Sequence, residues 1–289
     1  MAPSRSKARK TRKAPLVSSI AAAPPSISRA TAQARISDFH TSLKRKRAGP
    51  NGSAEGGSDG DAGSSRLKGA PEIDHEALDA YQKLSRAGQG KQRGGDSSKV
   101  LVPWLQELRA ATATKAKIRM LEIGAVQHDN YANQASWIDN TPIDLHSQHP
   151  DILEQDFFVR LIPTTEEQRF DIISCSLVLN FVETPARRGT MLRLMHQHLH
   201  PRPTSLLFLV LPLPCVENSR YLTRSALVEI MADIGFELLK ERFKPSGKVG
   251  YWLWAWRRPR EGVDRRWRKK VIINEGKKRN NFAVTLEDE

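Results

Sequence analysis

Cysteine is scarce in this 289-residue chain: Cys175 and Cys215 are the only two, and both lie in apolar runs. Two such thiols build no disulfide framework and point to a reducing compartment. Long apolar runs are also missing. The longest, Leu206 to Val216, is broken by Pro212 and Pro214, so no segment is long enough to span a bilayer. The basic N-terminus is followed by no apolar core of signal-peptide length, so a secretory signal is not expected. Acidic residues are in deficit, with 32 Asp and Glu against 46 Lys and Arg and a net charge of +14. Such an excess favours a polyanionic partner, most simply nucleic acid. No internal repeat is present.

Residues 1–70 lack the apolar side chains needed for a core. They are rich in Ala, Ser, Pro and Gly, and carry the basic clusters Lys7 to Lys13 and Lys44 to Arg47. Such composition cannot offset its ordering entropy, so a disordered basic N-terminal tail is expected, serving as a solvated segment or in nuclear import and RNA contact. A helical lead-in, 71–112, follows. Ile73, Ala77, Tyr81 and Leu84 recur at helical spacing, as do Leu101, Trp104, Leu105 and Leu108 behind a cap at Ser97 or Ser98. Between the two helices, Gly88 to Asp96 reads as a plain linker or as a lid.

From 113 to 258 strands and helices alternate. Lys117–Ile123 reads as the first strand, and Ser136–Ile138 or Pro142–Asp144 belongs to the second. Phe170–Val178 and Leu206–Leu211 read as buried strands. Helices are expected from Pro185 to His198 and from Arg224 to Ile234, the latter closed by Gly235. Phe236–Phe243 and Val249–Trp256 complete the pattern, with Trp252, Trp254 and Trp256 on one face. An α/β fold with a mostly parallel sheet follows. Residues 259–289 read as a basic C-terminal tail, with eleven Lys and Arg against three acids between Arg257 and Arg279, and with Trp267 and Phe282 interleaved.

The chemistry centres on Gly124. It ends the run Ile118 to Ile123, and Asp144 ends the next strand twenty positions later. A strand ending at Gly lets backbone approach a ligand, and an acid at the neighbouring strand tip can accept both ribose hydroxyls. The dinucleotide fingerprint fails, because Val126 and Asp129 stand where its further glycines belong. NAD and FAD are therefore disfavoured. S-adenosylmethionine carries no phosphate and tolerates a looser loop, with Glu122 and Gln127 as polar neighbours. Asp156 can accept from an adenine amino group while Phe157 covers the ring; alternatively the acid starts a helix and the phenylalanines are core. His196, His198 and His200 fall on a helix and its exit, and no Cys/His cluster has zinc spacing, so no metal is expected.

Several segments together resemble the fungal nucleolar 25S rRNA adenine-N1-methyltransferase family. They are Arg93 to Lys99, Leu121 to Gly124, Ile143 to Leu145, Gln155 to Phe158 and, most specifically, Phe170 to Val182 with Pro185 and Arg187-Arg188-Gly189 following. The resemblance covers roughly residues 72 to 260. It implies a Rossmann-like class I methyltransferase fold with a seven-stranded sheet and S-adenosyl-L-methionine as cofactor. It also implies Gly124 and Asp144 as cofactor contacts, large-subunit rRNA or a pre-ribosome as substrate, and a nucleolar location in the nucleus. Methyl transfer to adenine N1 needs alignment rather than a base, since N1 carries a lone pair. Asn180 and Phe181, after the fourth strand, are the expected catalytic residues, one binding the base edge and the other stacking on it. The competing readings are a non-catalytic S-adenosylmethionine sensor and a ribosome-assembly factor with a vestigial pocket. Steep salt dependence of RNA binding separates an RNA enzyme from a sensor.

Overall fold

The computed structural model describes residues 97–112, 116–243, 247–260 and 265–287, all within the unit Gln82–Glu289. The N-terminal tail, the helix expected around Ile73 to Leu84 and the 88–96 loop lie outside the described residues. So does most of the Arg93 to Lys99 motif.

Seven strands form one sheet: β1 (Ile118–Ile123), β2 (Ile138–Asp144), β3 (Leu153–Glu154), β4 (Ile172–Ser176), β5 (Leu206–Pro212), β6 (Phe236–Phe243) and β7 (Val249–Trp256). Their spatial order is β3-β2-β1-β4-β5-β7-β6. All pairs are parallel except those of β7, which runs antiparallel to both β5 and β6. Chain order therefore reverses between β1 and β4. In a wound sheet that switch point, at the carboxyl ends of the strands, is where a crevice opens.

The helices are α1 (Ser98–Thr112), α2 (Pro185–His198), the short α3 (Pro214–Glu217) and α4 (Arg224–Ile234). Alternation along the strands sends one set of side chains to each face. Met120, Ile172 and Phe208 meet Leu101 and Leu105 of α1. Leu121, Ile173, Leu209, Trp252 and Trp254 meet Met191 and Leu192 of α2 and Leu227 and Ile230 of α4. Local signals set the helix ends. Thr184 and Thr223 accept from Arg187 N and Ala226 N, both at 3.1 Å, and Gly235 at φ +107 closes α4. Among the described residues no helix is long and apolar enough to cross a membrane.

Three expectations need correction. The alternation of strand and helix begins only after β4: the crossovers from β1 through β4 carry nothing longer than 3-10 turns. Next, the strand expected over Phe170–Val178 spans only Ile172–Ser176, because Leu177 adopts φ +57 and turns the chain out of the sheet. Finally, the C-terminal segment is not a free basic tail over 265–287. Trp267, Ala283, Val284 and Leu286 are buried. Thr285 N donates to Pro185 O at 3.0 Å and Leu286 N to Trp267 O at 2.7 Å. A Cβ at Gly189 would overlap Thr285 O, so glycine in α2 is the notch through which this strap passes. Counting charge hid the strap; its Phe282 to Leu286 run carries the apolar anchors.

Three histidines also belong to the fold. His196 stacks on Trp256 at 5.0 Å and donates from Nε2 to Arg257 O at 2.8 Å. His198 donates from Nδ1 to Leu194 O at 2.8 Å. His200 meets the Glu166 carboxylate at 2.7 Å. Burial lowers the pKa of His196 and of His198, and for His198 the charges of Arg160 and Arg169 add to it. Burial disfavours the charged form of both in the fold, while the unfolded chain takes up protons near pH 6.5. Their contribution is therefore complete above about pH 6.5 and is lost as pH falls through the lowered folded values. The denaturant midpoint should drop between about pH 7.5 and 5.5. A midpoint that rose over that range would show that these rings do not govern the acid limb.

Candidate functional site

The switch point brings together three segments of distant sequence. Gly124 leaves β1 with φ +76, and a Cβ there would overlap Val178 Cγ2. Both features demand glycine. The close approach is to Val178, on the turn leaving β4, rather than to a ligand alone. On the other side, β1 and β2 pair as Ile123↔Ile143. Gly124 N and Ala125 N both donate to Ile143 O, at 2.8 and 3.0 Å. The backbone of Gly124 thus lies beside Asp144. One Asp144 carboxylate oxygen accepts from His146 N at 2.9 Å, and Gln155 N donates to Asp144 O at 2.8 Å. The acid is held at the strand tip by its own loop.

Glu122 sits one turn of the pleat below. It is 8 % exposed, and its two oxygens accept from Asn130 Nδ2 at 2.7 Å and Asn140 Nδ2 at 2.8 Å. The carboxylate is a strut that ties the loop after β1 to β2. With each amide nitrogen committed, Asn130 Oδ1 and Asn140 Oδ1 are buried without a hydrogen-bond partner. Sequence reasoning named Glu122 and missed the two asparagines; a polar Asn140 inside a strand that pairs with apolar β1 was the available signal.

The turn after β4 completes the set. Leu177 holds its left-handed conformation, uncommon for a branched side chain and costing roughly 1–2 kcal/mol. Behind it the N–H groups of Leu179 and Val178 point at the Cys175 sulfur. Burial nonetheless pushes that thiol up to about 12, and Cys215 likewise to about 12. Neither is a nucleophile near neutrality. Asn180 and Phe181 lie on the following 3-10 turn, Leu179–Phe181. Asn180 Oδ1 is buried and unpaired, which leaves an acceptor at the carboxyl end of β4.

Asp156 and Phe157 are placed differently. Asp156 caps the 3-10 turn Phe157–Val159 and accepts from Phe158 N at 2.8 Å. Phe157 is 4 % exposed and its ring packs 5.2 Å from that of His198. It is packed in the core, because the capped turn rotates it inward. The half-buried ring beside it is Phe158, with the Arg187 guanidinium 4.2 Å away. His196, His198 and His200 have separate partners and do not converge. His128, His149 and Asp151 place one ligand atom each within 4.8 Å. The two imidazoles stack at 3.9 Å and 7°, so their lone pairs lie in parallel planes rather than meeting at one ion.

At the carboxyl ends of the strands, the Asp144 carboxylate and the unpaired Asn180 Oδ1 offer acceptors to a ligand that brings donors. A pyrophosphate would need the N-terminus of a helix, and the crossover after Gly124 has only the 3-10 turn Ala132–Gln134.

Residues 70–284 match the family described as 25S rRNA (adenine(2142)-N(1))-methyltransferase, Bmt2. The match runs through the strap. The 25S rRNA adenine-N(1) methyltransferase of Schizosaccharomyces pombe is 39 % identical over 219 residues, covering 74 % of this chain and 78 % of that protein. The 25S rRNA (adenine(2142)-N(1))-methyltransferase of Saccharomyces cerevisiae is 36 % identical over 212 residues, covering 72 % of this chain and 60 % of the relative. Among solved structures, the 1,6-didemethyltoxoflavin-N1-methyltransferase of Burkholderia thailandensis is similar at 15 % identity and a TM-score of 0.43, over 67 % of this chain and 94 % of that one.

The Gly124–Val178 contact is testable by itself. Gly124→Ala should destabilise the protein by about 2 kcal/mol or more, from the left-handed backbone and the overlap together. Adding Val178→Ala should recover part of that loss, since it removes the overlap and leaves the backbone strain. Denaturant unfolding measures both, and a Gly124→Ala variant as stable as the parent would refute the constraint.

Proposed function

The chain belongs to the 25S rRNA adenine-N1-methyltransferase family, and from that premise we propose that its crevice binds S-adenosyl-L-methionine and methylates N1 of an adenine in large-subunit rRNA. The observation that carries the reading is the junction of Gly124, Asp144 and the Val178–Phe181 turn at one switch point. Asp144 would accept the ribose hydroxyls. The backbone of Gly124 and Ala125 would lie along the ligand where no side chain intervenes. When bound, the cofactor supplies a methyl on a positively charged sulfur, and transfer in line to the N1 lone pair leaves a neutral thioether and a cationic adenine.

The protein's own part is placement. N1 lies on the pairing edge, so the base must be unpaired before it can enter. The edge of adenine presents N1 as acceptor and the exocyclic amino group as donor. Asn180 Oδ1 is an unpaired acceptor, complementary to that amino group, and accepting from it would leave N1 unobstructed. Phe181, next along the turn, would stack on the base. No side chain has to take a proton, since N1 carries none. The basic clusters Lys7 to Lys13 and Lys44 to Arg47 support a nuclear and nucleolar location.

Labelled cofactor and unmodified large-subunit rRNA test the reading directly. Wild type should form 1-methyladenosine, and Asp144→Ala should raise the cofactor KM on the order of 10- to 100-fold. Cofactor binding with no methyl transfer to rRNA would instead favour the sensor or the assembly factor. For the substrate side, Asn180→Ala should lower kcat/KM for rRNA by on the order of 10-fold or more with cofactor affinity intact. Unchanged turnover at subsaturating rRNA would remove Asn180 from the site.

A further inference from the structure

The charge of the described domain is unevenly placed. Residues 97–260 carry 20 Lys and Arg against 17 Asp and Glu, close to balance, whereas 265–287 carry eight against two. This strap is folded, so the backbone that carries its charges has a fixed course.

The strap is fastened to the loop that joins α3 to α4. Ile273 N and Asn274 N donate to Arg220 O, at 2.9 and 3.1 Å. Arg220 donates back to Gly276 O at 3.0 Å and to Asn281 Oδ1 at 2.6 Å. Asn280 N meets Asn218 O at 2.9 Å. Two lysine pairs are thereby drawn to one place. The Lys270 ammonium lies 5.2 Å from the centre of the Tyr221 ring, and Lys278 O accepts from Asn218 Nδ2 at 3.2 Å. Lys269, Lys270, Lys277 and Lys278 are all exposed. Among the described residues, none of the four makes an ion pair. Arg266, by contrast, is spent on Glu229.

The position is as telling as the charge. The 218–222 loop follows the carboxyl end of β5 and precedes α4, whose first residue Arg224 lies over Phe243 at the carboxyl end of β6. The lysines thus stand on the edge of the sheet that carries Gly124, Asp144 and Asn180. The strap then returns to α2, where Arg188 donates to Ala283 O at 2.8 Å and lies over the Phe282 ring at 4.4 Å. Arg188 is seven residues beyond Phe181.

We propose that Lys269, Lys270, Lys277 and Lys278 form a phosphate-binding surface that holds the backbone of the rRNA while the target adenine enters the crevice. This rests on the rRNA methyltransferase reading and extends it to a second surface. Unpaired lysines track a phosphate backbone without reading sequence, and each phosphate they neutralise releases counterions. The surface therefore contributes affinity and orientation, and leaves the choice of base to the crevice.

The test uses the full chain with all four lysines replaced by Ala, and unmodified large-subunit rRNA as probe. Wild-type affinity should fall steeply with salt. In the quadruple variant the slope of log K against log salt should shrink by about 3, with affinity reduced on the order of 10- to 100-fold at low salt. The rRNA KM should rise, while kcat at saturating rRNA and cofactor affinity stay as they were. The quadruple Lys→Arg variant should bind like wild type. The pairs Lys269→Ala/Lys270→Ala and Lys277→Ala/Lys278→Ala should each give about half the slope change, which guards against a folding defect in the quadruple. Arg202→Ala/Arg258→Ala, at the opposite edge, should leave affinity unchanged. An unaltered slope and KM in the quadruple variant would overturn the proposal, as would an equal loss in the opposite-edge control. RNA binding that behaves as described in a protein that transfers no methyl would preserve this surface and reject the catalytic reading; methyl transfer with the quadruple KM unchanged would do the reverse.

Discussion

The contact between Gly124 and Val178 is the constraint on which the site depends. β1 and β4 are neighbours, and the chain leaves each of them at the same edge. For the two exits to share that space, one must shed its side chain and the other must turn sharply. Gly124 does the first with a positive φ, and Leu177 does the second in a conformation unfavourable for its type. The strain at Leu177 is held by what surrounds it: the buried Cys175 sulfur facing the N–H groups of Val178 and Leu179, and the core seat of Leu179. A site built on two mutually locked exits is placed by packing, which is what a reaction limited by alignment requires.

The Glu122 strut works by a different force. A carboxylate this buried is tolerated because two amides satisfy it. Those bonds then fix the direction of Asn130 and Asn140 and leave their oxygens unpaired. Such orphan acceptors are costly in a closed core and useful beside a ligand that carries donors. The same logic applies to Asn180.

The strap joins the loop before α4 to the start of α2. Its anchors are apolar, Trp267 and the Phe282 to Leu286 run, and its free charges face away from them. It crosses α2 at Gly189, and α2 begins four residues after the Leu179–Phe181 turn. Basic residues that would be loose on a tail are thereby carried on the same framework as the Leu179–Phe181 turn. The family match through residue 284 agrees with treating this segment as part of the domain.

Much was determined by the sequence alone. Local signals marked the starts of α2 and α4 at Thr184 and Thr223 and the break between α4 and β6 at Gly235, and the apolar run Val249–Trp256 marked β7, which is buried on both faces. The spacing of Gly124 and Asp144 identified two strand tips because neighbouring parallel strands bring their ends together. Tertiary structure decided the rest. Whether Phe157 or Phe158 faces outward depends on the rotation of one capped turn, to which a pair of adjacent aromatics is blind. β4 ends where Leu177 turns the chain out of the sheet, which brings Val178 against Gly124, a contact across 54 residues. The C-terminal segment looked like a solvated charge run because charge dominates its composition, yet a few apolar side chains and one glycine notch in α2 dock it. Local pattern fixes which face of an element is apolar; only the assembled core determines what that face meets.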